Sequence, residues 1–279
     1  MSIFALMKAM IFAAGLGTRL RPLTDTRPKA LVEVCGKPLI GHLIDKMHAQ
    51  GISDITVNVH HFPDQIIKYL QDNSIAAHVS DERDLLRDTG GGILHARRFL
   101  EGGAPGAEGV PGAGTSGYFL VHNVDILSNL DFRGLENAHL EHQNAIGRRN
   151  APESQSLATL VVSERNSSRQ LLFDDDMRLK GWMNVQSGEI RSPFKDLNPD
   201  KCRRFAFAGI HMISDRIFEE MKTRPEVFPI MDFYLSVADR LPIYGYAPKG
   251  LEVLDVGKVD AVAIAADFLQ RNALESPHD

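Results

Sequence analysis

Short apolar runs recur along the first half of the chain at a spacing that suits alternating strands and helices. Runs at 7–13, 55–59, 75–79 and 118–121 have the length of buried strands. Between and after them, helices are expected at 39–50, 63–70, 91–100 and 132–143; Ile66, Ile67 and Leu70 show the helical spacing in one. Pro38 stands where a helix start tolerates proline. A strand, a helix and a second strand in that order build a parallel pair joined by a crossover. The pattern then changes. Runs at 157–163, 170–173, 178–182 and 204–213 are separated by hairpin-like breaks. Helices are expected at 215–222, 230–240 and 259–270, and short extended pieces at 30–34, 243–246 and 252–255. The reading is an α/β fold, parallel in its first half and mixed in its second.

Residues 102–117 read GGAPGAEGVPGAGTSG and can bury little, so a flexible surface excursion is expected there. Residues 147–156 form a second polar loop and 190–203 an irregular insert. The chain of 279 residues, 43% hydrophobic, can build one sizeable core without a staple. The expected domain is 7–271, with 1–6 a leader and 272–279 a tail. The apolar start is not read as a signal peptide. Its charge, Lys8, sits in the middle, and cleavage near Ala13 or Ala14 would cut a glycine-rich loop. It also falls short of the ~20 residues that span a bilayer. Two cysteines, Cys35 and Cys202, make no disulfide framework, and a cytoplasmic location is expected. A net charge of −5 argues against a nucleic-acid partner. An anionic ligand would need a local cluster of cations and N–H groups. No membrane partner is expected, and the oligomeric state is left open.

Such a cluster follows the first strand. In Ala13-Ala14-Gly15-Leu16-Gly17-Thr18-Arg19 the glycines let backbone N–H groups approach a phosphate. The loop is not a dinucleotide fingerprint, because Leu20 stands where a third glycine belongs, and no Gly-Lys-Ser/Thr makes it a Walker loop. On its glycines alone a plain tight turn fits as well. Arg19, Arg21, Arg27 and Lys29 fall within eleven residues, and Pro22 and Pro28 stiffen the segment. Cations at the carboxyl end of a first parallel strand suit a triphosphate.

Gly15 to Thr24, then Pro28-Lys29-Ala30-Leu31, then Gly36-Lys37-Pro38-Leu39 resemble, in register, the signature of the sugar-1-phosphate nucleotidyltransferases. The resemblance implies a Rossmann-like three-layer sandwich with a mixed, mostly parallel central sheet and a small β-rich sugar-binding part. The nucleotide-binding half would cover about 7–125 and the sugar-binding half about 126–271. It implies an enzyme that joins a nucleoside triphosphate to a sugar 1-phosphate. Arg19 would contact the triphosphate and the departing pyrophosphate, and Lys29 the α-phosphate and the incoming phosphate. Ala14, Gly15, Gly17 and Thr18 would line the nucleotide. No general base is needed, since a sugar phosphate with a second pKa of about 6 is already a nucleophile at pH 7.

The resemblance also implies Mg²⁺, held by Asp125 in Asn123-Val124-Asp125 and by Asp255 in Leu254-Asp255-Val256-Gly257. Without it, a cap or turn residue is the alternative for Asp125, and Asp255 reads as a commonplace turn residue. Thr89, Gly90 and Gly91 fall at the family's base-reading loop, and the acidic stretch 81–84 before it could meet base or ribose. Asn123 and Gly209 fall where the sugar is contacted; a core strand is the alternative for Gly209. The Thr-Gly-Gly-Gly form resembles members acting on muramic-acid-type or mannose 1-phosphates, which favours UTP or GTP. The chain departs from the family at 181–184, where a Glu-Lys-Pro segment is missing. Arg169 or Lys180 could replace its lysine, and Trp182 is either core or a substrate platform. His60 and His61, adjacent in a strand, point to opposite faces and make a poor metal site. Two other readings remain: an NDP-sugar sensor without catalysis, and a cytidylyltransferase acting on phosphocholine-like substrates.

Overall fold

The strand β1 (Lys8–Phe12) is buried on both faces, which is why it is apolar after Lys8 rather than alternating. Ala9 and Ile11 join one core and Met10 the other. The computed structural model describes residues 7–102, 117–144 and 155–274. The expected leader, nearly all of the 102–117 excursion, most of the 147–156 loop and the last five residues lie outside them.

From β1 the chain makes two short 3-10 turns, Thr18–Leu20 and Lys29–Leu31, then the small hairpin β2 (Glu33–Val34) and β3 (Lys37–Pro38). The extended piece expected at 30–34 is therefore half turn. Helix α1 (Leu39–Ala49) follows Pro38 and buries Ile40, Leu43, Ile44 and Met47 on one stripe. Then come β4 (Asp54–Val59), α2 (Pro63–Asp72), β5 (His78–Asp81), α3 (Asp88–His95), α4 (Arg97–Leu100) and β6 (Tyr118–Asn123). The strand expected at 75–79 is displaced because a turn with Ser74 at φ 53° precedes it and pairing with β4 begins at His78.

The remaining elements are β7 (Ile126–Ser128), α5 (Phe132–Asn144), β8 (Ala158–Ser163), β9 (Arg169–Phe173), β10 (Leu179–Asn184), β11 (Ile190–Arg191), β12 (Arg203–Ser214), α6 (Ile217–Glu220), α7 (Ile230–Val237), β13 (Ile243–Tyr246), β14 (Val253–Asp255) and α8 (Val259–Leu274). The 190–203 insert thus contains a two-residue strand and a 3-10 turn, Pro199–Lys201. β7, like the two-residue β3 and β11, is a strand that sequence reading misses.

The main sheet runs β11-β10-β9-β12-β6-β1-β4-β5, with β8 and β13 attached through β12. It is mixed. Pairings are parallel through β6-β1-β4-β5 and between β13 and β8, and antiparallel along β6-β12-β9-β10-β11. Helices cover both faces. α3, α6 and α7 pack in one core, α1, α2 and α5 in the other. The chain leaves β1 for β4 on one side and returns to β6 on the other. The carboxyl ends of β1 and β6, with Phe12 opposite Asn123, therefore form a topological switch point, where open α/β sheets bind ligands.

A third, smaller core ties this edge together. Leu20, Val32 and Val34 from the signature segment pack with Leu127 of β7, Val256 after β14, and Ala265 and Phe268 of α8. The C-terminal helix thus clamps the glycine-rich segment against β7 and β14. Among the described residues no helix is long and apolar enough to cross a membrane.

Candidate active site

The backbone after β1 is held from beneath by a buried polar chain. Ala13 N donates to Asn58 Oδ1 at 2.8 Å, and Asn58 Nδ2 donates to Glu82 Oε1 at 2.7 Å. Glu82 Oε2 accepts from Arg87 N at 3.2 Å. Burial pushes the Glu82 carboxyl up, against the pull of the Asn58 and Arg87 donors. This chain fixes the floor of a cavity of about 490 Å³, lined by Ala14, Gly15, Lys29, Thr89, Asn123 and Asp125 among others. Sequence reading flags the acidic stretch that holds Glu82 but misses Asn58. Its signal is an amide amid an apolar strand.

Gly17 has φ 64°, and a Cβ there would meet Thr24 Cγ2 at 2.9 Å and Lys29 Cβ at 3.1 Å. Its carbonyl accepts from Leu20 N and Thr24 Oγ1. The glycine thus folds the loop back onto its own cations. Gly15 has open space in front of its Cα. Among the described residues, no acceptor engages the N–H groups of Gly15, Leu16 and Gly17. Thr18 is exposed at the start of its turn.

Four charged side chains from distant segments converge at this edge. Lys29 Nζ donates to Asp125 Oδ2, and both side chains are 13% exposed. β7 pairs antiparallel with β14, Ile126 opposite Asp255, and Val256 N donates to Asp125 O at 2.8 Å. Asp255 therefore lies beside Asp125. Burial and the Asp125 charge push the Asp255 carboxyl up, while Lys29 and Arg19 pull it down. A Cβ on Gly257 would lie 2.5 Å from Asp255 Oδ1 and 2.7 Å from Arg19 Nη2. The absent side chain makes room for that carboxylate and that guanidinium.

The two aspartates fit a hard divalent cation. They repel each other, and Asp255 Oδ1 is buried with no hydrogen-bond partner. Among the described residues no group of three or more His, Cys, Asp or Glu could hold a metal. A cation here would complete its shell from phosphate oxygens and water, as Mg²⁺ does.

The glycines of α3 are placed differently from expectation. Gly90 and Gly91 are buried inside the helix, and both N–H groups donate to Phe228 O. A Cβ on Gly91 would sit 2.0 Å from Glu226 O. Their smallness serves close packing against 226–228, and their N–H groups are not turned to a ligand. Thr89 lines the cavity edge, its Oγ1 accepting from Ile230 N at 2.9 Å. Gly209, at φ 75°, packs on Asn123; a Cβ would meet Asn123 Nδ2 at 2.6 Å.

A second cavity, about 1090 Å³, opens beyond Arg19 and Asp255. Its walls include Arg165, Arg169, Trp182, Asn184 and Arg191. Trp182 is half-buried, with the Arg191 guanidinium 5.6 Å from its ring centroid. Lys180 is engaged by Asp174 at 3.1 Å and lies over the Phe194 ring. His60 Nδ1 bonds Glu82 O and His61 packs on Phe62, so the two share no ligand.

Residues 8–156 match the family model described as "Nucleotidyl transferase". The N-acetylmuramate alpha-1-phosphate uridylyltransferase of Caulobacter vibrioides is 32% identical over 254 residues, covering 87% of this chain and 89% of the relative. A mannose-1-phosphate guanyltransferase of Hypocrea jecorina is 37% identical over 140 residues, 49% of this chain and 35% of that protein. Among solved structures, HddC from Yersinia pseudotuberculosis complexed with GMP-PN superposes with a TM-score of 0.67 at 19% identity, covering 94% of this chain and 99% of that one.

Proposed function

Because the chain belongs to the nucleotidyl transferase family, we propose that it joins a nucleoside triphosphate to a sugar 1-phosphate, releasing pyrophosphate and an NDP-sugar. The observation that carries this reading is the convergence of Arg19, Lys29, Asp125 and Asp255 between two cavities. The first cavity takes the nucleotide and the second the sugar phosphate.

The acceptor's phosphate oxygen attacks the α-phosphorus, and the bond from that phosphorus to the β-phosphate oxygen breaks in line. Both reacting groups are anions, so positioning and charge neutralisation carry most of the catalysis. Lys29 lies at the wall of the first cavity and meets the α-phosphate. Arg19 borders the second and neutralises charge on the departing pyrophosphate. The N–H groups from Ala14 to Gly17 cradle the phosphates. Asn123 positions the sugar, buttressed by Gly209. Asp125 and Asp255 would hold Mg²⁺; when bound, the ion neutralises phosphate charge and aligns the two substrates. Thr89 and the 226–228 segment border the base. UTP and GTP are the favoured nucleotides, in line with the uridylyl- and guanyltransferase relatives.

A phosphocholine-like acceptor is disfavoured, because Arg165, Arg169 and Arg191 would repel a quaternary ammonium. A sensor without catalysis is disfavoured by the presence of all four converging charges. Incubation with each NTP, Mg²⁺ and a panel of sugar 1-phosphates tests the proposal. Pyrophosphate release with UTP or GTP is expected; no release with any pair would overturn it.

A further inference from the structure

Among the described residues, two arginines of the second cavity have no carboxylate partner. Arg191 is paired with Asp232 at 2.6 Å, and Arg19 sits beside Asp255. Among the described residues no acidic group lies within ion-pair distance of Arg165 or Arg169. Arg165 belongs to the connection from β8 to β9 and Arg169 opens β9, and the backbone holds this segment in place. Arg169 N donates to Ser167 Oγ, Ser167 Oγ donates to Arg169 O, and Val185 N donates to Ser168 O.

Arg165 is fixed by its own head group. Its Nη2 donates to Phe207 O at 3.0 Å, while its Nε–H is buried with no partner. Arg169 lies directly opposite Asn184 in the β9–β10 register, so the two side chains share one sheet face at the cavity wall. The same face carries Trp182 opposite Leu171. Two guanidiniums without counter-ions, one with an unpartnered buried donor, make a fork suited to a tetrahedral dianion.

We propose that Arg165, ahead of β9, and Arg169, at its start, clamp the phosphate of the acceptor, a role that Lys180 of β10 does not fill. The inference rests on the reading of the second cavity as the acceptor site. Lys180 is excluded by its pairing with Asp174. The clamp selects a phosphorylated sugar over the free sugar. It also tolerates no simple exchange, because lysine cannot reproduce a bidentate fork.

Trp182 is the chain's single tryptophan and lines the same cavity, so its fluorescence reports occupancy without turnover. The protein is titrated with glucose 1-phosphate, mannose 1-phosphate and N-acetylmuramate 1-phosphate, and with the free sugars. A saturable response to at least one phosphate and none to its free sugar is expected. Arg169→Ala should weaken that response about 10- to 100-fold, the usual weight of a charged hydrogen-bonded pair. In turnover it should raise the acceptor KM by a similar factor, with the NTP KM within about twofold. Arg169→Lys should fall between. Arg165→Lys, which keeps a donor for Phe207 O, should weaken acceptor binding at an unchanged melting temperature. Arg191→Ala, removing an already paired cation, should have the smaller effect. Turnover or a fluorescence response that Arg169→Ala leaves unchanged would overturn the clamp. So would the absence of any response to millimolar sugar phosphate. A phosphate-dependent response without pyrophosphate release would support the clamp and sink the proposed reaction instead.

Discussion

Lys29 donates to Asp125 across 96 residues of sequence, and the pair sits where the carboxyl ends of β1 and β6 meet. Neither residue is near the other by local structure. Lys29 comes from a 3-10 turn anchored by Ala30 in the core shared with α1, and Asp125 from the step between β6 and β7. The ammonium occupies one oxygen of a carboxylate that also faces Asp255. One cation already moderates the repulsion of two carboxylates, and the remaining negative charge can accept a second, divalent one.

Removing either partner should therefore damage chemistry more than folding. Lys29→Met and Asp125→Asn are each expected to lower kcat by about 10²- to 10³-fold, the usual effect of deleting one preorganised charge at a reacting phosphate. Melting temperatures should change little beside that loss, since the pair is partly solvated. Pyrophosphate release and a thermal melt measured on the same preparations check this. A variant retaining more than a tenth of wild-type kcat would remove that residue from the mechanism.

Two glycines separate ligand space from packing space. At Gly15 nothing lies within 4 Å of where a Cβ would stand, so Gly15→Ala should change stability by less than about 0.5 kcal/mol. The new methyl would stand where phosphate approaches, and the NTP KM should rise about tenfold, equivalent to about 1.4 kcal/mol. Gly91→Ala should do the reverse. Its Cβ would lie 2.0 Å from Glu226 O, a backbone atom that cannot swing aside. A cost of about 1–3 kcal/mol is expected, with a melting temperature lower by several degrees. An unchanged melt for Gly91→Ala would refute the packing role.

The same glycines mark how far sequence reading reaches. β4 and β6 are legible because strands buried on both faces carry apolar runs, Ile55, Val57 and Val59 in one and Phe119 to Val121 in the other. The helix at 91–100 is legible too, but α3 starts earlier, at Asp88, and the packing role of its glycines is not legible, because their partner, the 226–228 segment, lies more than a hundred residues away. β7 has three residues and no pattern of its own, yet its pairing with β14 brings Asp125 and Asp255 together. The resemblance names both aspartates, but only the ladder explains their proximity. Between Arg169 and Lys180 the sequence is silent. Cavity lining and an ion pair separate them.

Acid should unfold the protein through its buried histidines. Burial pushes His122, His139 and His211 down to about 3 from an ordinary 6.5. A depressed histidine pKa means that the unfolded chain binds more protons. The stabilisation is complete above pH 6.5 and is lost as pH falls from there toward 3. At about pH 5 each histidine has forfeited about 2 kcal/mol, a large part of a typical stability of about 5–15 kcal/mol. Cooperative unfolding is therefore expected between about pH 5 and 4 by circular dichroism. His139→Gln, which keeps a polar group near Thr159 and Gln143, should move the midpoint to lower pH. A midpoint unmoved by this change would show that His139 does not drive the transition.

Gly209 offers the sharpest link between backbone and acceptor. It lies where β12 shifts register against β8, a bulge between Phe207 and His211, and takes φ 75°. A side chain there is strained by its own backbone and would press on Asn123 Nδ2 at 2.6 Å and Ile126 Cγ1 at 3.3 Å. Ile126 adjoins Asp125, so the strain reaches the charged centre through β7. Gly209→Ala is expected to cost about 1–3 kcal/mol and to raise the acceptor KM more than the NTP KM. Asn123→Ser separates the two causes, because it clears the space without restoring the amide. The double variant should recover part of the lost melting temperature while its acceptor KM stays high. Recovery of both would mean that Asn123 only fills space, and recovery of neither would place the whole cost in the backbone at Gly209.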